Sequence, residues 1–400
     1  MVAWPLPHFN AGDHIYEHLK AGRFIRLLPL LHFFRDLTRR ADWESPPTPA
    51  CLVVDDPSLY SQTYGHVDFG RMAAEAREQG FHISIATVPL DCWWINRQVG
   101  EVFRKNAPRL SLLIHGNNHT RNELAQPASE AENLALLAQA LRRWRRLECL
   151  PGIEVCRVME CPHGSLSVAM LEPMARLGYE AAFATTAHLL RCNTVGTFPT
   201  WLGAERTVLG TKAVPLIPRI RAEAGWQTEV RLAAFLRKPV VLATHHWDYA
   251  NGKHISEEFA RIVNSLPNMC WTSPTGIARA AYQSRKKDET LHLKLGSRLL
   301  DISITQGTRQ VMIHRPWLRG AAESEHLILR AEGNELLRVN SSADVVGPIP
   351  LAGNTALHVS SSVTNQVNCD SVPPPRVRCW PFVRKILVEV RDRSCLRVAP

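Results

Sequence analysis

Several short apolar runs in this chain stop abruptly at ionisable residues. Cys51-Leu52-Val53-Val54 runs into Asp55-Asp56, the strand-like 110–114 into His115-Gly116-Asn117-Asn118-His119, and Val240-Val241-Leu242-Ala243-Thr244 into His245-His246. Further runs at His82–Ala86, Glu154–Met159, Glu180–Phe183 and Met269–Thr272 have the length of strands. Between them lie stretches of helical character. These are Phe69–Gln79 (ended by Gly80), Gln98–Lys105, Ser129–Arg146, Ser167–Leu177 (ended by Gly178), Glu229–Leu236, Ser256–Leu266 and Thr275–Tyr282. In Ser129–Arg146 the apolar positions Leu134, Leu137, Ala140, Leu141 and Trp144 recur at helical spacing. Residues 184–225 carry no regular pattern. Strands alternating with helices predict an α/β domain with a mainly parallel core. Ionisable groups on at least four strand ends favour a barrel, whose chemistry sits at the C-terminal ends of its strands.

After Lys286-Lys287-Asp288 the texture changes. Leu291, Leu293 and Leu295 alternate with His292 and Lys294, as do Ile302 and Ile304 with their polar neighbours. His326–Arg330, Glu332-Gly333-Asn334 and Leu336–Val339 read as a hairpin, and Ile386–Val390 reads as a late strand. The expected organisation is therefore a helical lead-in over 1–49, an α/β barrel over 50–287 and an all-β, sandwich-like unit over 288–400. The β unit holds no catalytic constellation, and packing, partner contact or accessory glycan binding are its open roles.

Composition narrows the class. The chain has 400 residues and is 45% hydrophobic, enough to bury a core. Its net charge is +10, but the basic residues are scattered, so no specific nucleic-acid partner is expected. Ten cysteines stand singly with no CxxC pair, which fits reduced thiols better than a disulfide framework. The N-terminus lacks the basic start and apolar core of a signal peptide. Phe24–Phe34, interrupted by Arg26, Pro29 and His32, falls short of the ~20 apolar residues of a membrane span. It reads as an amphipathic helix packed on the barrel, with a membrane-surface helix as the alternative. A cytoplasmic protein is expected, and nothing in the pattern assigns an oligomeric state.

Adjacent carboxylates at Asp55-Asp56 raise one pKa unless a cation neutralises them. A divalent metal is such a cation; a turn or helix-cap pair before Pro57 is the plain alternative. Neighbours in a regular strand point to opposite faces, but where the chain turns both can reach one pocket. His115 and His119, four apart on a helix-like turn, point the same way and make half of a metal site. Asn117 or Asn118 are candidates to donate hydrogen bonds around it.

These residues together resemble the polysaccharide deacetylase superfamily (the NodB homology domain) over roughly 50–280. Its strongest parts are Val54-Asp55-Asp56 and His115-Gly116-Asn117-Asn118-His119. The resemblance implies a distorted (β/α) barrel and metal-dependent removal of N- or O-linked acetyl groups from carbohydrate, with relatives acting on other carbon–nitrogen bonds. It implies Asp56, His115 and His119 as metal ligands, Asp55 as catalytic base, and His245 as general acid with His246 as its rival. The loop Cys161-Pro162-His163-Gly164 resembles the one whose backbone N–H, near His163, stabilises the oxyanion. Mixed His/Asp ligation suits Zn2+, with other divalent ions possible. Tyr60, Tyr64, Trp93, Trp94 and Trp247 are candidates to stack on sugar rings, and Asp248 to orient a histidine. The sequence departs from the family at Glu160, where an arginine two residues before the loop proline usually pairs with the catalytic carboxylate, and at His163, where another aromatic is usual. The later Asp/Trp motif has no clear counterpart; Trp201 and Trp247 are candidates for its tryptophan. Two alternatives remain: hydrolysis of a small non-glycan amide, and a catalytically inactive glycan-binding protein.

Overall fold

The structure, a computed structural model, describes residues 6–10, 12–20, 22–38, 43–120, 122–126, 128–149, 153–203, 208–209, 214–252, 254–304, 306–321, 323–351, 355–376 and 379–395. Two helices lead in, α1 (Ile15–His18) and α2 (Leu28–Thr38). The main unit follows as β1 (Thr48–Asp55), a small hairpin of β2 (Thr63–Tyr64) and β3 (Val67–Asp68), α3 (Phe69–Glu78), β4 (Ile83–Thr87), α4 (Arg97–Lys105), β5 (Leu110–His115) and α5 (Glu130–Glu148). It continues with β6 (Val155–Glu160), α6 (Leu171–Leu177), β7 (Ala181–Ala184), α7 (Thr186–Cys192), β8 (Val208–Leu209), β9 (Pro215–Pro218) and β10 (Ile220–Arg221). It ends with α8 (Trp226–Phe235), β11 (Val240–His245), α9 (Ile255–Asn264), β12 (Met269–Trp271) and α10 (Pro274–Arg279). Local chemistry sets these boundaries. Asp68 accepts the Arg71 N–H to start α3, and Ser129 with Glu132 forms a reciprocal capping box at α5. Gly178, at φ 76°, stops α6.

The sheet order is β10-β11-β1-β4-β5-β6-β7-β9, every neighbour parallel, with β8 antiparallel outside β9 and β12 pairing the start of β1. The strands at the two ends of this path, β9 and β10, are separated in the chain by Arg219 alone. The sheet therefore has to curl until its ends meet. No ladder joins β9 to β10 among the described residues, which makes this a distorted (β/α) barrel, as expected. Strands β9 and β10 lie in the segment read as patternless. At four and two residues, bounded by Pro215 and Pro218, they are too short to show a period.

Side-chain parity then decides what faces the barrel interior. Cys51 and Val53, Ala86, Leu113, Cys156 and Val158, Ala181 and Phe183, Ile217 and Val241 form one interior cluster. Leu52, Val54, Ile83, Ile85, Leu112 and Ile114, on the opposite faces, join the larger core under the helices. Ile277 and Ala278 of α10 belong to the interior cluster and plug the N-terminal end. Two residues beyond the last interior apolar position stand Asp55, His115, Glu160, Arg219 and, after Ala243, His245. The interior thus turns from apolar to ionisable in a single layer.

The lead-in packs on the barrel through Leu19 and Leu27 against Leu232 of α8. Beyond the barrel come β13 (Tyr282–Lys287), β14 (Thr290–Leu295), β15 (Leu299–Ser303), β16 (Gln310–His314), β17 (Glu325–Ala331), β18 (Asn334–Ser341), β19 (Val345–Pro350) and β20 (Ala356–Val363). They form two four-stranded sheets, β13-β14-β16-β19 and β15-β20-β17-β18, around a common core that includes Leu293, Ile313, Leu327 and Val359. The expected hairpin is β17–β18, turning on Glu332 and Gly333 at φ 49° and 83°.

The last segment departs from expectation. Ile386–Val390 is not a strand but part of α11 (Trp380–Cys395). Its consecutive branched residues mimic a strand, yet the charged residues Arg384, Lys385, Glu389 and Asp392 recur at helical spacing. The connection from β20 runs back along the barrel. Arg142 of α5 donates to the Val372 carbonyl at 2.8 Å, and the Val367 N–H to the Arg176 carbonyl at 2.9 Å. Among the described residues no helix is long and apolar enough to cross a membrane, and the nine described cysteines are free.

Trp144 of α5 is fully buried under the sheet. Trp144→Ala is expected to cost about 3–5 kcal/mol through lost burial and a residual cavity, read as a lowered urea midpoint of the full chain. An unchanged midpoint would mean that α5 does not anchor this side of the barrel.

Candidate active site

At the end of β1 the backbone leaves the extended region. Asp55 is the last strand residue, buried and pointing inward, and Asp56 has φ 81°. That turn brings both carboxylates towards one pocket, as the sequence reading required. The Asp56 N–H donates to the Ala86 carbonyl at 3.0 Å, fixing the turn to β4.

His115 is the last residue of β5, and His119 lies beyond a tight turn rather than on a helix. Gly116 (φ 61°) and His119 (φ 53°) both take left-handed backbone. A Cβ at Gly116 would sit 2.2 Å from Glu123 Oε1 and 2.5 Å from Pro162, so only glycine fits. Glu123, which the sequence reading missed, shapes this turn. Its carboxylate accepts the N–H groups of Asn117 (2.7 Å), Asn118 (3.1 Å) and His119 (2.9 Å). Asn117 and Asn118 do not serve the metal position. Their side-chain oxygens accept from Arg143 of α5, at 2.6 and 2.8 Å, and Asn117 Nδ2 donates to Gln139.

His115, His119 and Asp56 converge, offering one ligand atom each within 4.8 Å of one another. Asp56 Oδ1 is 3.3 Å from His115 Nε2 and 3.0 Å from His119 Nε2. His115 Nδ1 lies 3.0 Å from the Glu160 carbonyl, which can only accept, so Nδ1 carries the proton and Nε2 keeps its lone pair. That Nε2 is buried without a hydrogen-bond partner. A buried lone pair aimed at a carboxylate is what a divalent cation satisfies, so the residues fit a metal. Burial works to raise the Asp56 pKa. His119 and His115 overcome it, and the carboxyl lies well below the usual carboxylate range.

Asp55 is held differently. Burial again works to raise its pKa, but the Arg219 guanidinium together with His115 and His245 outweighs it, and the carboxyl stays below its ordinary value. Arg219 Nη1 donates to Asp55 Oδ2 at 2.7 Å and also to Glu160 Oε1. All three side chains are buried. Glu160, where the family resemblance expects an arginine, is therefore the second anion on a guanidinium that enters from the β9–β10 corner. The alternation Ile217-Pro218-Arg219, matching Val53-Val54-Asp55, is the one sequence signal that could have found it.

The doubled histidine separates cleanly. His245 Nε2 stands 3.9 Å from both Asp55 Oδ2 and Asp56 Oδ2, and its side chain is partly exposed. His246 is buried, edge-on to Tyr64 at 5.2 Å between ring centroids, with Nε2 3.6 Å from Asp392. Asp248 accepts the His245 backbone N–H at 2.8 Å and so anchors the chain there. Opposite, His163 (φ 57°) and Gly164 (φ 69°) make a left-handed corner, with the His163 ring 5.0 Å from that of His119. Burial, with help from His119 and His115, pushes the His163 pKa down to about 4, so its ring is neutral at ordinary pH. Of the aromatic candidates, Tyr64 is buried and donates to Asp392 at 2.7 Å, which removes it as a stacking surface. Tyr60, Trp93 and Trp94 cluster with ring centroids 5.7 Å apart, and Trp93, Trp94, Trp201 and Trp247 are exposed.

Helix α11 crosses the rim of the site and is amphipathic in reverse. Trp380, Phe382, Val383, Ile386, Leu387 and Val390 face outward, while Arg384, Lys385, Glu389 and Asp392 face the barrel. Lys385 pairs with the buried Asp91 at 2.6 Å and with Glu389 at 2.9 Å. Arg384 Nη2 lies 3.2 Å from His119 Nδ1. The sequence reading gave this helix no part in the site.

Fold and site together define the chain as a distorted (β/α) barrel with a candidate metal-binding Asp-His-His cluster at the C-terminal ends of its strands. No protein-family model and no curated protein matches it. Solved structures do match. One assigned as a polysaccharide deacetylase, from Mycobacterium smegmatis, has 12% identity and a TM-score of 0.41 over 59% of this chain and 91% of its own. A family 4 carbohydrate esterase from Streptomyces lividans, in complex with acetate, has 11% identity and a TM-score of 0.34 over 57% and 94%. Agd3, a carbohydrate deacetylase, has 9% identity and a TM-score of 0.39 over 81% and 67%.

Removing the carboxylate under the His115–His119 turn frees three backbone N–H groups. Glu123→Ala is expected to weaken zinc binding by about 10–100-fold, measured by competition with a chromogenic chelator. Affinity within twofold of wild type would rule out the turn as the device that positions His119.

Proposed function

We propose that the protein is a divergent polysaccharide deacetylase-like enzyme, a metal-dependent hydrolase of N- or O-linked acetyl groups on a carbohydrate or related substrate. One observation carries this reading: Asp56, His115 and His119 offer ligand atoms within 4.8 Å of one another, with Asp55 next in the chain and His245 Nε2 3.9 Å from both aspartates. Asp56, His115 and His119 would hold a divalent ion, Zn2+ being the best match to one carboxylate and two imidazoles, and such an ion would supply Lewis acidity for activating water and polarising the acyl carbonyl.

The remaining chemistry falls to side chains of this chain. Asp55 takes a proton from the attacking water. Its Oδ2 is fixed by Arg219, and its Oδ1 is buried without a partner. The carbonyl oxygen gains negative charge as the carbon becomes tetrahedral. The Gly164 and Ser165 N–H groups already serve the Cys161 and Pro162 carbonyls, so His163 is the residue of this corner whose N–H takes up that charge. The bond from the acyl carbon to the leaving nitrogen or oxygen then breaks, and His245 Nε2 gives that atom its proton. The products are acetate and a free amine or hydroxyl. His246, enclosed by Tyr64 and Asp392, has no path to the leaving atom. Helix α11 across the rim favours a small or chain-terminal acetylated substrate, and it keeps alive the second reading, a small non-glycan amide.

Asp55→Asn is expected to retain bound metal and to lose about 10²–10⁴ of acetate release, measured by metal analysis beside an acetate assay on N-acetylated sugars. Equal turnover in the two proteins would sink the assignment of Asp55. Wild-type protein releasing no acetate while binding glycan would favour the inactive, binding reading. Arg219→Gln tests the electrostatics. The base works ionised, and removing its cation raises its pKa. The acid limb of the pH–rate profile should therefore move to higher pH by roughly 1–3 units, and an unmoved limb would show that Arg219 does not tune Asp55.

A further inference from the structure

Arg384 is a cation at the mouth of the site that the proposed hydrolysis does not use and that, among the described residues, no carboxylate holds. Several charges around it are matched. Lys385 is held by Asp91 and Glu389, Arg391 by Asp392 at 2.6 Å, and Arg219 by Asp55 and Glu160. Arg384 is half-buried on the inward face of α11 and has no carboxylate within 4 Å among the described residues. Its one polar contact is the 3.2 Å approach of Nη2 to His119 Nδ1.

That contact is weak and conditional. Arginine can only donate, so Nδ1 accepts here. A His119 that gives its Nε2 lone pair to an ion carries its proton on Nδ1 and can no longer accept from Arg384. Metal loading therefore releases the guanidinium at the mouth of the pocket. A partly desolvated guanidinium without a counter-charge is unfavourable until an anion arrives, and its planar fork matches carboxylate and phosphate oxygens.

We propose that Arg384 is a specificity-determining residue that recognises an anionic group, carboxylate or phosphate, carried by the acetylated substrate next to the scissile bond. The proposal rests on the deacetylase reading for its substrate class. The geometry that supports it, a cation delivered to the rim from outside the barrel, is independent of that reading.

The test compares wild type with Arg384→Gln and Arg384→Lys, all zinc-loaded, on N-acetylglucosamine, N-acetylglucosamine 6-phosphate and N-acetylmuramic acid. The ratio of kcat/KM for an anionic over the neutral sugar is expected to fall by about 10–100-fold in Arg384→Gln, with partial recovery in Arg384→Lys. Whichever anionic sugar shows the fall identifies the group. A ratio unchanged within twofold for both, or a wild-type preference for the neutral sugar, overturns the proposal. If no protein releases acetate from any sugar, the deacetylase reading is what has failed. Calorimetric titration of the zinc-loaded proteins with inorganic phosphate then decides Arg384 by itself. About tenfold weaker binding in Arg384→Gln upholds the anion site; equal binding, or none in wild type, rejects it.

Discussion

The fold depends on one buried charge cluster. Asp55 ends the first barrel strand, Glu160 ends the fourth strand of the parallel series, and Arg219 occupies the single-residue corner where the curled sheet brings its two ends together. Two carboxylates inside a barrel cannot both stay ionised without a cation, and the buried Arg219 guanidinium gains its counter-charges from the same pair. The requirement is mutual and geometric. Arg219 reaches both carboxylates only if the sheet curls far enough to bring β9 round to β10. Barrel closure and the ionised state of Asp55 are thus the same condition seen from two sides. A buried pair of this kind is weak evidence for net stability, but removing one member leaves an uncompensated charge. Its value here lies in holding Asp55 ionised and oriented.

Function follows from the layer above. The interior positions are apolar as far as Val53, Leu113, Val158, Ile217 and Ala243, and ionisable two residues later. The apolar layer excludes water from below and gives the charged layer a low-dielectric floor, where each electrostatic contact counts for more. Asp56 and His119 are not part of that layer. They reach it from left-handed backbone just past the strand ends, and the His119 turn needs a glycine at 116 and a carboxylate at 123 to hold its shape.

Much of this was legible in the sequence, for an identifiable reason. Asp55, Asp56, His115, His119 and His245 all sit within a residue or a tight turn of a strand end, so the period-two pattern gave their location. The strands of β1, β4, β5, β6 and β11 are each long enough to show that pattern. Strands β9 and β10 are not, and Arg219 was lost with them. Glu123 was hidden because its role is to accept backbone N–H groups, which leaves no mark on side-chain periodicity. The 115–119 spacing, read as a helix-like turn, is met by a tight turn on Gly116, which serves a four-residue spacing equally well. Helix α11 was misread because its apolar face points outward and its charged face inward. Hydrophobic pattern encodes burial, and here burial and polarity are inverted.

At Glu160 the chain departs from the resembled family in sign, yet a cation still lies beside Asp55. Where the resembled family places an arginine two residues before the loop proline, this chain has a carboxylate, and taken alone that argues for a lost base. The structure supplies the guanidinium from the β9–β10 corner instead. Asp55 does not sense which strand its cation comes from, only that a positive charge lies at hydrogen-bonding distance in a dry interior. Reversing the sign at 160 is tolerable because Arg219 then bridges two anions in place of one. Buried Asp55 and Glu160 need that compensation whether or not the site turns over, and it leaves Asp55 Oδ1 and His115 Nε2 without hydrogen-bond partners among the described residues.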